Sequence, residues 1–255
     1  MRKARSTPAP RSRKPAPQAI AAPSYLDQLQ AKLDESEALR DRTRARILSA
    51  AARALATEGY HEALVRRICD DLGLSRGAFY KYFENRTDVV AEVLTGFCDF
   101  VYRASIGIGH GKSDFERIYE VTYFYCQLYI VNKGLFAVQY NLARQKSAYS
   151  DGWHQLQDKW RGRLARYILR ATGVEAAGYR DALLLAYMLT SLANDLLYRL
   201  IFEREQELLW LEGQARETAA MISIVWYRAI FCRDPVIPRQ LKARIGFRGA
   251  LPSVR

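Results

Sequence analysis

The apolar residues of this chain recur with the 3.6-residue period of an α-helix from Tyr25 through most of the sequence. The alternation of apolar and polar residues that is typical of β-strands is scarce. With 255 residues, of which 49% are hydrophobic, the chain can bury a substantial core. The pattern therefore predicts an all-α globular protein.

The spacing of apolar residues and the capping signals predict nine helices. They span residues 43–58, 64–72, 75–83, 87–105, 113–132, 134–144, 149–171, 178–204 and 214–231. Thr43 is the expected N-cap of the first helix, and Gly59 is expected just beyond its C-terminus.

The formal net charge of +12 is concentrated at the two ends of the chain. Residues 1–23 carry six Lys or Arg, no acid and five of the eight prolines, which predicts a disordered basic tail. Residues 233–255 carry six Lys or Arg against Asp234 and form a second basic tail. These tails either add nonspecific affinity for DNA or serve solubility alone.

The four cysteines lie far apart without a Cys-x-x-Cys motif, a usage typical of reduced thiols in the cytoplasm. The N-terminus lacks the apolar segment of a secretory signal. The apolar run 182–202 is long enough to span a bilayer, but Asn194, Asp195 and Arg199 would be costly in lipid. We therefore expect a cytoplasmic protein without membrane contact.

Residues 64–83 contain two short helices joined by Gly73-Leu74-Ser75, with Ser75 as the expected N-cap of the second. Phe79 and Phe83 share one face of that helix and must point inward. This arrangement predicts a helix-turn-helix, whose second helix enters the major groove of DNA. A simple αα corner with a solvated basic face is the alternative.

The outward face of the second helix suits a nucleic acid. A hydroxyl or an ammonium donates hydrogen bonds to phosphate oxygens, so Tyr80 and Lys81 are candidate phosphate contacts. Arg76, near the helix N-terminus, is placed to reach guanine O6 and N7. Gly77 and Ala78 are small enough to let the backbone approach a partner closely.

Residues 41–101 resemble the tetracycline-repressor (TetR) family of bacterial transcriptional regulators. The likeness is carried, in order, by RARILSAA, Gly59-Tyr60, Ile68, LGLSRGAFYKYF and NRTDVVAEVL. The resemblance implies an all-α homodimer whose N-terminal three-helix head, residues 41–101, binds palindromic operator DNA. It also implies a C-terminal ligand-binding and dimerisation domain, residues 102–232.

The resemblance places Tyr80 and Lys81 at positions that touch phosphate, and residues 75–78 at positions that face bases. Arg86 stands where the family usually has a lysine. Ala63 and Leu64 replace the Thr residues that usually cap the second helix, and we hypothesise that Arg66 and Arg67 compensate as phosphate contacts. The candidate DNA-binding residues are Thr43, Arg66, Arg67, Ser75, Arg76, Gly77, Ala78, Tyr80, Lys81 and Arg86.

The C-terminal half concentrates aromatic residues in segment 113–132. Taken helix by helix, they are more simply core aromatics with satisfied hydroxyls, although the resemblance implies a pocket somewhere in this half. A tyrosine-lined pocket would bind a small apolar or aromatic effector. The candidate ligand-binding residues are Tyr119, Tyr123, Tyr125, Tyr129 and Asp195.

Helices 178–204 and 214–231 are apolar almost all round. Their surplus apolar surface favours a homodimer interface over the alternative of a larger monomer core. The segment GIGHGK, residues 107–112, matches no phosphate-binding loop, and the three histidines lack metal-ligand spacing.

These observations predict no cofactor and no metal. We interpret the chain as a sequence-specific DNA-binding transcriptional regulator, a repressor released by a small molecule. The rival functions are a helical enzyme, using Asp195 and a tyrosine, and a lipid or metabolite carrier with basic tails.

Overall fold

The computed structural model describes residues 22–35, 39–144, 150–174, 178–239 and 242. Within these ranges the chain forms ten α-helices and no strand. They are α1 (Tyr25–Asp34), α2 (Leu39–Glu58), α3 (Leu64–Leu72), α4 (Arg76–Phe79), α5 (Arg86–Ala104), α6 (Asp114–Val131), α7 (Lys133–Arg144), α8 (Ser150–Thr172), α9 (Tyr179–Tyr198) and α10 (Ala215–Phe231). The all-α prediction is confirmed.

The helices differ from the predicted ones mainly at their ends. Helix α2 begins at Leu39, so Thr43 lies inside the helix and its prediction as an N-cap is wrong. The preceding Leu39-Arg40-Asp41-Arg42 contains good helix formers, which outweigh an isolated capping signal. Helix α9 ends at Tyr198, where a π-helical turn, Arg199–Glu203, and then a 3₁₀ turn, Gln206–Leu211, lead to α10.

The folded part of the chain extends into both predicted tails. Ala22 packs against the core, and the Asn132 side chain donates to the Pro23 carbonyl at 3.1 Å. Asp234 accepts from Arg228 at 2.6 Å, and Ile237 packs against the core. The segments at 22–23 and 233–237 therefore belong to the folded body. Residues 1–21, 240–241 and 243–255 of the predicted tails lie outside the described residues.

Helix α1 joins the N-terminal region to the body of the protein. Ser24 Oγ accepts from the Asp27 amide at 3.3 Å and caps the helix. Tyr25 is buried between Phe97 and Phe100, at ring-centroid distances of 5.6 and 5.3 Å.

Helices α2, α3 and α4 form the N-terminal head, and α2 also packs on α7 of the body. At that crossing a Cβ on Gly134 would lie 1.9 Å from the Ala56 carbonyl oxygen, so only glycine permits so close an approach. In the C-terminal half α10 packs on α6, and α8 packs on α9. No helix among the described residues has the length and hydropathy needed to cross a membrane.

Candidate nucleic-acid interface and ligand cavity

The turn of the helix-turn-helix depends on Gly73. This residue has a left-handed backbone with φ of +63°, which favours glycine. The Leu74 amide donates to the Cys69 carbonyl at 2.9 Å, which closes the C-terminus of α3. The Ser75 Oγ then accepts from the Ala78 amide at 3.1 Å, so the predicted N-cap is confirmed.

The second helix of the motif and the turn that continues it, residues 75–83, are called the recognition segment. Two aromatic rings hold its inward face. Phe79 and Phe83 are fully buried, with ring centroids 5.8 Å apart, as predicted. The Arg44 guanidinium lies 4.9 Å from the centre of the Phe83 ring and forms a bidentate ion pair with Glu92 of α5. The pair and the ring contact fix the orientation of the segment against α2 and α5.

The outward face remains accessible. Arg76, Gly77 and Lys81 are exposed, and Tyr80 is 52% exposed with its ring edge on Phe79. Among the described residues neither the Arg76 guanidinium nor the Lys81 ammonium forms an ion pair. The helix itself is short, and residues 80–82 continue it as a turn.

The remaining candidates for DNA contact differ in availability. Arg66 is exposed on α3, whereas Arg67 pairs with Glu58 at 2.9 Å and with Asp71 at 3.3 Å. The Arg86 guanidinium lies 4.7 Å from the centre of the Tyr60 ring. Thr43 and Ala78 are half-buried.

Helix α3 has no side-chain cap at the position where the TetR family usually has Thr. Helix α3 begins at Leu64, and Ala63 provides no side-chain cap. Helix α5 has a cap that sequence analysis did not single out: Asn85 Oδ1 accepts from the Asp88 amide at 3.0 Å. In return, the Glu84 amide donates to Asp88 Oδ2 at 3.2 Å. A Ser/Thr/Asp/Asn residue before a helical pattern is the signal that identifies such a cap.

The C-terminal half contains a cavity of about 340 Å³. Residues from α6, α8, α9 and α10 line it, together with Ile108 and His110 of the loop that follows α5. Tyr125 is the one predicted ligand-binding residue on its wall. The Tyr125 hydroxyl donates to Asn194 Oδ1 at 3.0 Å, and burial raises the pKa of this tyrosine, so the hydroxyl remains protonated.

The other four predicted ligand-binding residues lie away from this cavity. Tyr129 is buried against Phe136, and its hydroxyl is hydrogen-bonded to that of Tyr140 at 2.6 Å. Tyr119 and Tyr123 stack on each other, with ring centroids 6.0 Å apart, on a different face of α6. Asp195 is exposed and pairs with Arg199 at 2.7 Å, so it does not meet a cavity tyrosine.

Sequence analysis missed most of the cavity wall. The missed residues include four arginines and two tryptophans: Arg117, Trp160, Arg163, Arg166, Arg170 and Trp226. Arg163, Arg166 and Arg170 are three and four residues apart, which is the spacing of one helix face. That spacing was available in the sequence, but only the fold shows that the face lines a cavity.

Comparisons with known proteins locate the strongest similarity in the head. The family model for bacterial regulatory proteins, tetR family, matches residues 47–93, from α2 into α5. The uncharacterized HTH-type transcriptional regulator YdgC of Bacillus subtilis (strain 168) is 36% identical over 55 residues, which are 22% of this chain and 28% of that protein. The alignment thus spans little more than a quarter of this curated relative.

A solved structure extends the likeness to most of the chain at the level of fold. It belongs to a Pseudomonas aeruginosa PAO1 protein provisionally named a transcriptional regulator. The TM-score is 0.58 at 16% identity, with 79% of this chain and 95% of that chain covered. The head thus combines a helix-turn-helix with similarity to bacterial regulatory proteins of the tetR family over residues 47–93.

Proposed function

We propose that this protein is a DNA-binding transcriptional regulator of the TetR family, a cytoplasmic homodimeric repressor that binds palindromic operator DNA and leaves it when a small molecule enters the cavity. Two features near opposite ends of α5 support the proposal. One is an exposed recognition surface formed by Arg76, Gly77, Tyr80 and Lys81, and the other is the cavity. The proposed domains are a DNA-binding head, residues 41–101, and a ligand-binding and dimerisation body, residues 102–232.

In the proposed complex the exposed face of the recognition segment enters the major groove. Arg76 donates to guanine, and Tyr80 and Lys81 donate to phosphate oxygens. Ser75, Gly77 and Ala78 approach the bases. Arg66, Arg86 and Thr43 are proposed to contact the DNA backbone. Arg67 is the least available candidate, because its guanidinium is already balanced by Glu58 and Asp71.

An exposed apolar stripe on α9 supports the homodimer. Leu184, Tyr187, Met188 and Leu192 are between 41% and 58% exposed and follow the spacing i, i+3, i+4 and i+8. A contiguous apolar face of this kind is stabilised when a second copy covers it, and a two-fold axis makes the face self-complementary. Helix α10 is packed largely against α6, so α9 contributes more of the proposed interface, which comprises residues 178–204 and 214–231.

Helix α5 supplies the proposed mechanical link. Its 19 residues extend for about 28 Å, and it starts at Arg86, three residues after Phe83. At its other end Ser105 Oγ accepts from Arg163 Nη1 at 3.2 Å, and the following loop brings Ile108 to the cavity. A ligand that moves Arg163 or this loop therefore displaces the end of α5.

The displacement would act through the spacing of the two heads. Successive major grooves lie about 34–36 Å apart, so the two recognition segments of a dimer must keep that separation. A ligand that prefers a dimer with mis-spaced heads releases DNA to the extent of its differential affinity for the two states.

The test is a titration of the purified protein into labelled DNA from just upstream of its own gene, with unlabelled random duplex as competitor. We expect tight binding that survives the competitor. Tyr80→Ala and Lys81→Ala should each weaken it by about tenfold or more, because hydrogen bonds to charged groups are lost.

Lys133→Ala is the matched control, because Lys133 is an exposed lysine on α7 and its loss changes the net charge equally. It should bind DNA as the unmodified protein does. Equal weakening by Lys81→Ala and Lys133→Ala would contradict the assignment of the recognition surface.

A further inference from the structure

Most of the neutral polar side chains of the cavity wall are already bonded within the protein. The Tyr125 hydroxyl donates to Asn194 Oδ1, and Asn194 Nδ2 donates to Gln157 Oε1 at 3.5 Å. Thr122 and Thr190 donate to backbone carbonyls of their own helices, each at 2.8 Å. These groups leave few hydrogen-bonding sites for a neutral polar ligand.

The groups left without partners are donors. The Nε1 atoms of Trp160 and Trp226 and the Nε atom of Arg117 are buried, and none has an acceptor among the described residues. Indole and guanidinium N–H groups can only donate. Because a buried donor without an acceptor is unfavourable, this part of the wall favours a ligand that brings acceptor oxygens.

The charges on the wall have the same sign. Arg117 and Arg163 are half-buried, and Arg166 and Arg170 are exposed, whereas no Asp or Glu lines the cavity. Among the described residues none of these four arginines forms an ion pair.

The nearby carboxylate of Asp114 is engaged elsewhere. It accepts from the Tyr167 hydroxyl at 2.9 Å. Arg163 donates to the neutral Ser105 Oγ and lies 5.4 Å from the centre of the Trp160 ring, so its charge is not neutralised by the protein.

The rest of the wall is apolar. Ile108, Ile118, Val121 and Leu164 line it, and the two indole rings add flat aromatic surface. The volume of about 340 Å³ lies at the small end of the range for ligand pockets, roughly 300–1,000 Å³.

We propose that the cavity binds a small organic acid, a carboxylate carried on an apolar or aromatic body. The carboxylate lies between Arg117 and Arg163, whose planar guanidinium groups match its geometry. The apolar body lies against Trp160, Trp226 and the aliphatic residues. The exposed Arg166 and Arg170 attract the anion to the cavity. This inference rests on the proposed function only for its consequence, the release of DNA.

The direct test measures binding with matched pairs of acid and neutral isostere. The probes are benzoate with benzamide, 2-naphthoate with 2-naphthamide, and decanoate with decanamide. The readouts are tryptophan fluorescence, because Trp160 and Trp226 line the cavity, and titration calorimetry. At least one acid should bind about tenfold or more tightly than its amide, as expected for a hydrogen bond to a charged group.

Variants locate the anion. Arg117→Met and Arg163→Met should each remove most of the preference for the acid, whereas Arg180→Met, an exposed arginine of α9 away from the cavity, should retain it. If the Arg variants fold poorly, Trp226→Phe provides the test. It keeps an aromatic ring but removes one N–H donor, and it should weaken acid binding.

Three outcomes would overturn the proposal: equal affinity for acid and amide, an acid preference that survives the variants at Arg117, Arg163 and Trp226, or no acid binding up to millimolar concentration. A separate DNA titration distinguishes this inference from the proposed function. Acid that binds without releasing DNA would support the ligand class and contradict ligand release.

Discussion

The recognition surface and the cavity both use arginine, but they present it differently. In the head Arg76 and Lys81 stand on an open surface, where we propose that Arg76 contacts a guanine and Lys81 a phosphate of DNA. In the body Arg117 and Arg163 are half-buried beside aromatic rings, where cations suit one small anion. The comparison teaches that the exposure of the cations, rather than their residue type, separates the proposed contact with DNA from the proposed binding of a small anion.

The two regions also differ in how they are assembled. The recognition surface comes from one segment of consecutive residues that Phe79 and Phe83 anchor from below. The cavity wall is assembled from four helices and one loop that are far apart in the chain. A substitution in the recognition surface therefore has a local effect, whereas a substitution in the cavity wall affects several packed helices.

The largest loss of stability should come from removing a buried aromatic ring in either region. Phe79→Ala in the head and Phe115→Ala in the body each delete a ring that is at most 3% exposed, and each should lower the free energy of unfolding by about 3–5 kcal/mol. Denaturant titration measures the loss.

Function should separate the two variants where both are still folded. Phe79→Ala should lose DNA binding, because the recognition segment loses its anchor, while Phe115→Ala should keep it. Unchanged DNA affinity in Phe79→Ala would contradict the proposal that DNA binding depends on the head.

An intermediate loss of stability should appear at alkaline pH, and it arises from two buried thiols, Cys98 of α5 and Cys126 of α6. Burial raises the pKa of the Cys98 and Cys126 thiols to about 12, from an ordinary value of 9.0. Between pH 9 and 12 the unfolded chain releases these protons while the folded chain retains them, so stability falls as the pH rises through this window.

At pH 10 the loss should be about 1–2 kcal/mol for each thiol, relative to pH 8 or below. Denaturant titration at pH 8 and pH 10 measures it, and a double variant, Cys98→Ala with Cys126→Ala, should show a smaller difference between the two pH values. A difference that is unchanged in the double variant would assign the pH dependence to other groups.

The smallest effect should come from the helix caps on either side of the recognition segment. Ser75→Ala and Asn85→Ala each remove a side chain that accepts from a backbone amide, at 3.1 and 3.0 Å, and each should cost about 1 kcal/mol. Thermal denaturation measures both losses.

Measurements of DNA affinity should distinguish the two cap variants. Ser75→Ala should weaken DNA binding more than Asn85→Ala, because Ser75 starts the helix that bears Arg76. Equal effects on DNA binding would indicate that Ser75 acts through stability alone.

Much of the head could be predicted because its signals are local. Helix α3 has the predicted bounds and ends at Gly73, and Ser75 caps α4 as expected. Thr43 misled for a physical reason: a capping side chain has no effect on a helix whose preceding residues are themselves helical.

The cavity could not be predicted in the same way. Segment 113–132 is aromatic on several faces, and the sequence alone does not say which face meets the space between helices. The fold buries Tyr129 in the core and leaves Tyr125 on the wall, although the two are four residues apart on α6.

Sequence by itself determined the helical class, the helix-turn-helix and the inward face of the recognition segment, because periodicity, caps and turns act between residues close together in the chain. Only the tertiary structure decided which arginines line the cavity and that Asp195 lies outside it. The same side chain can face solvent, a core or a cavity, and the packing of distant helices decides which of these it meets.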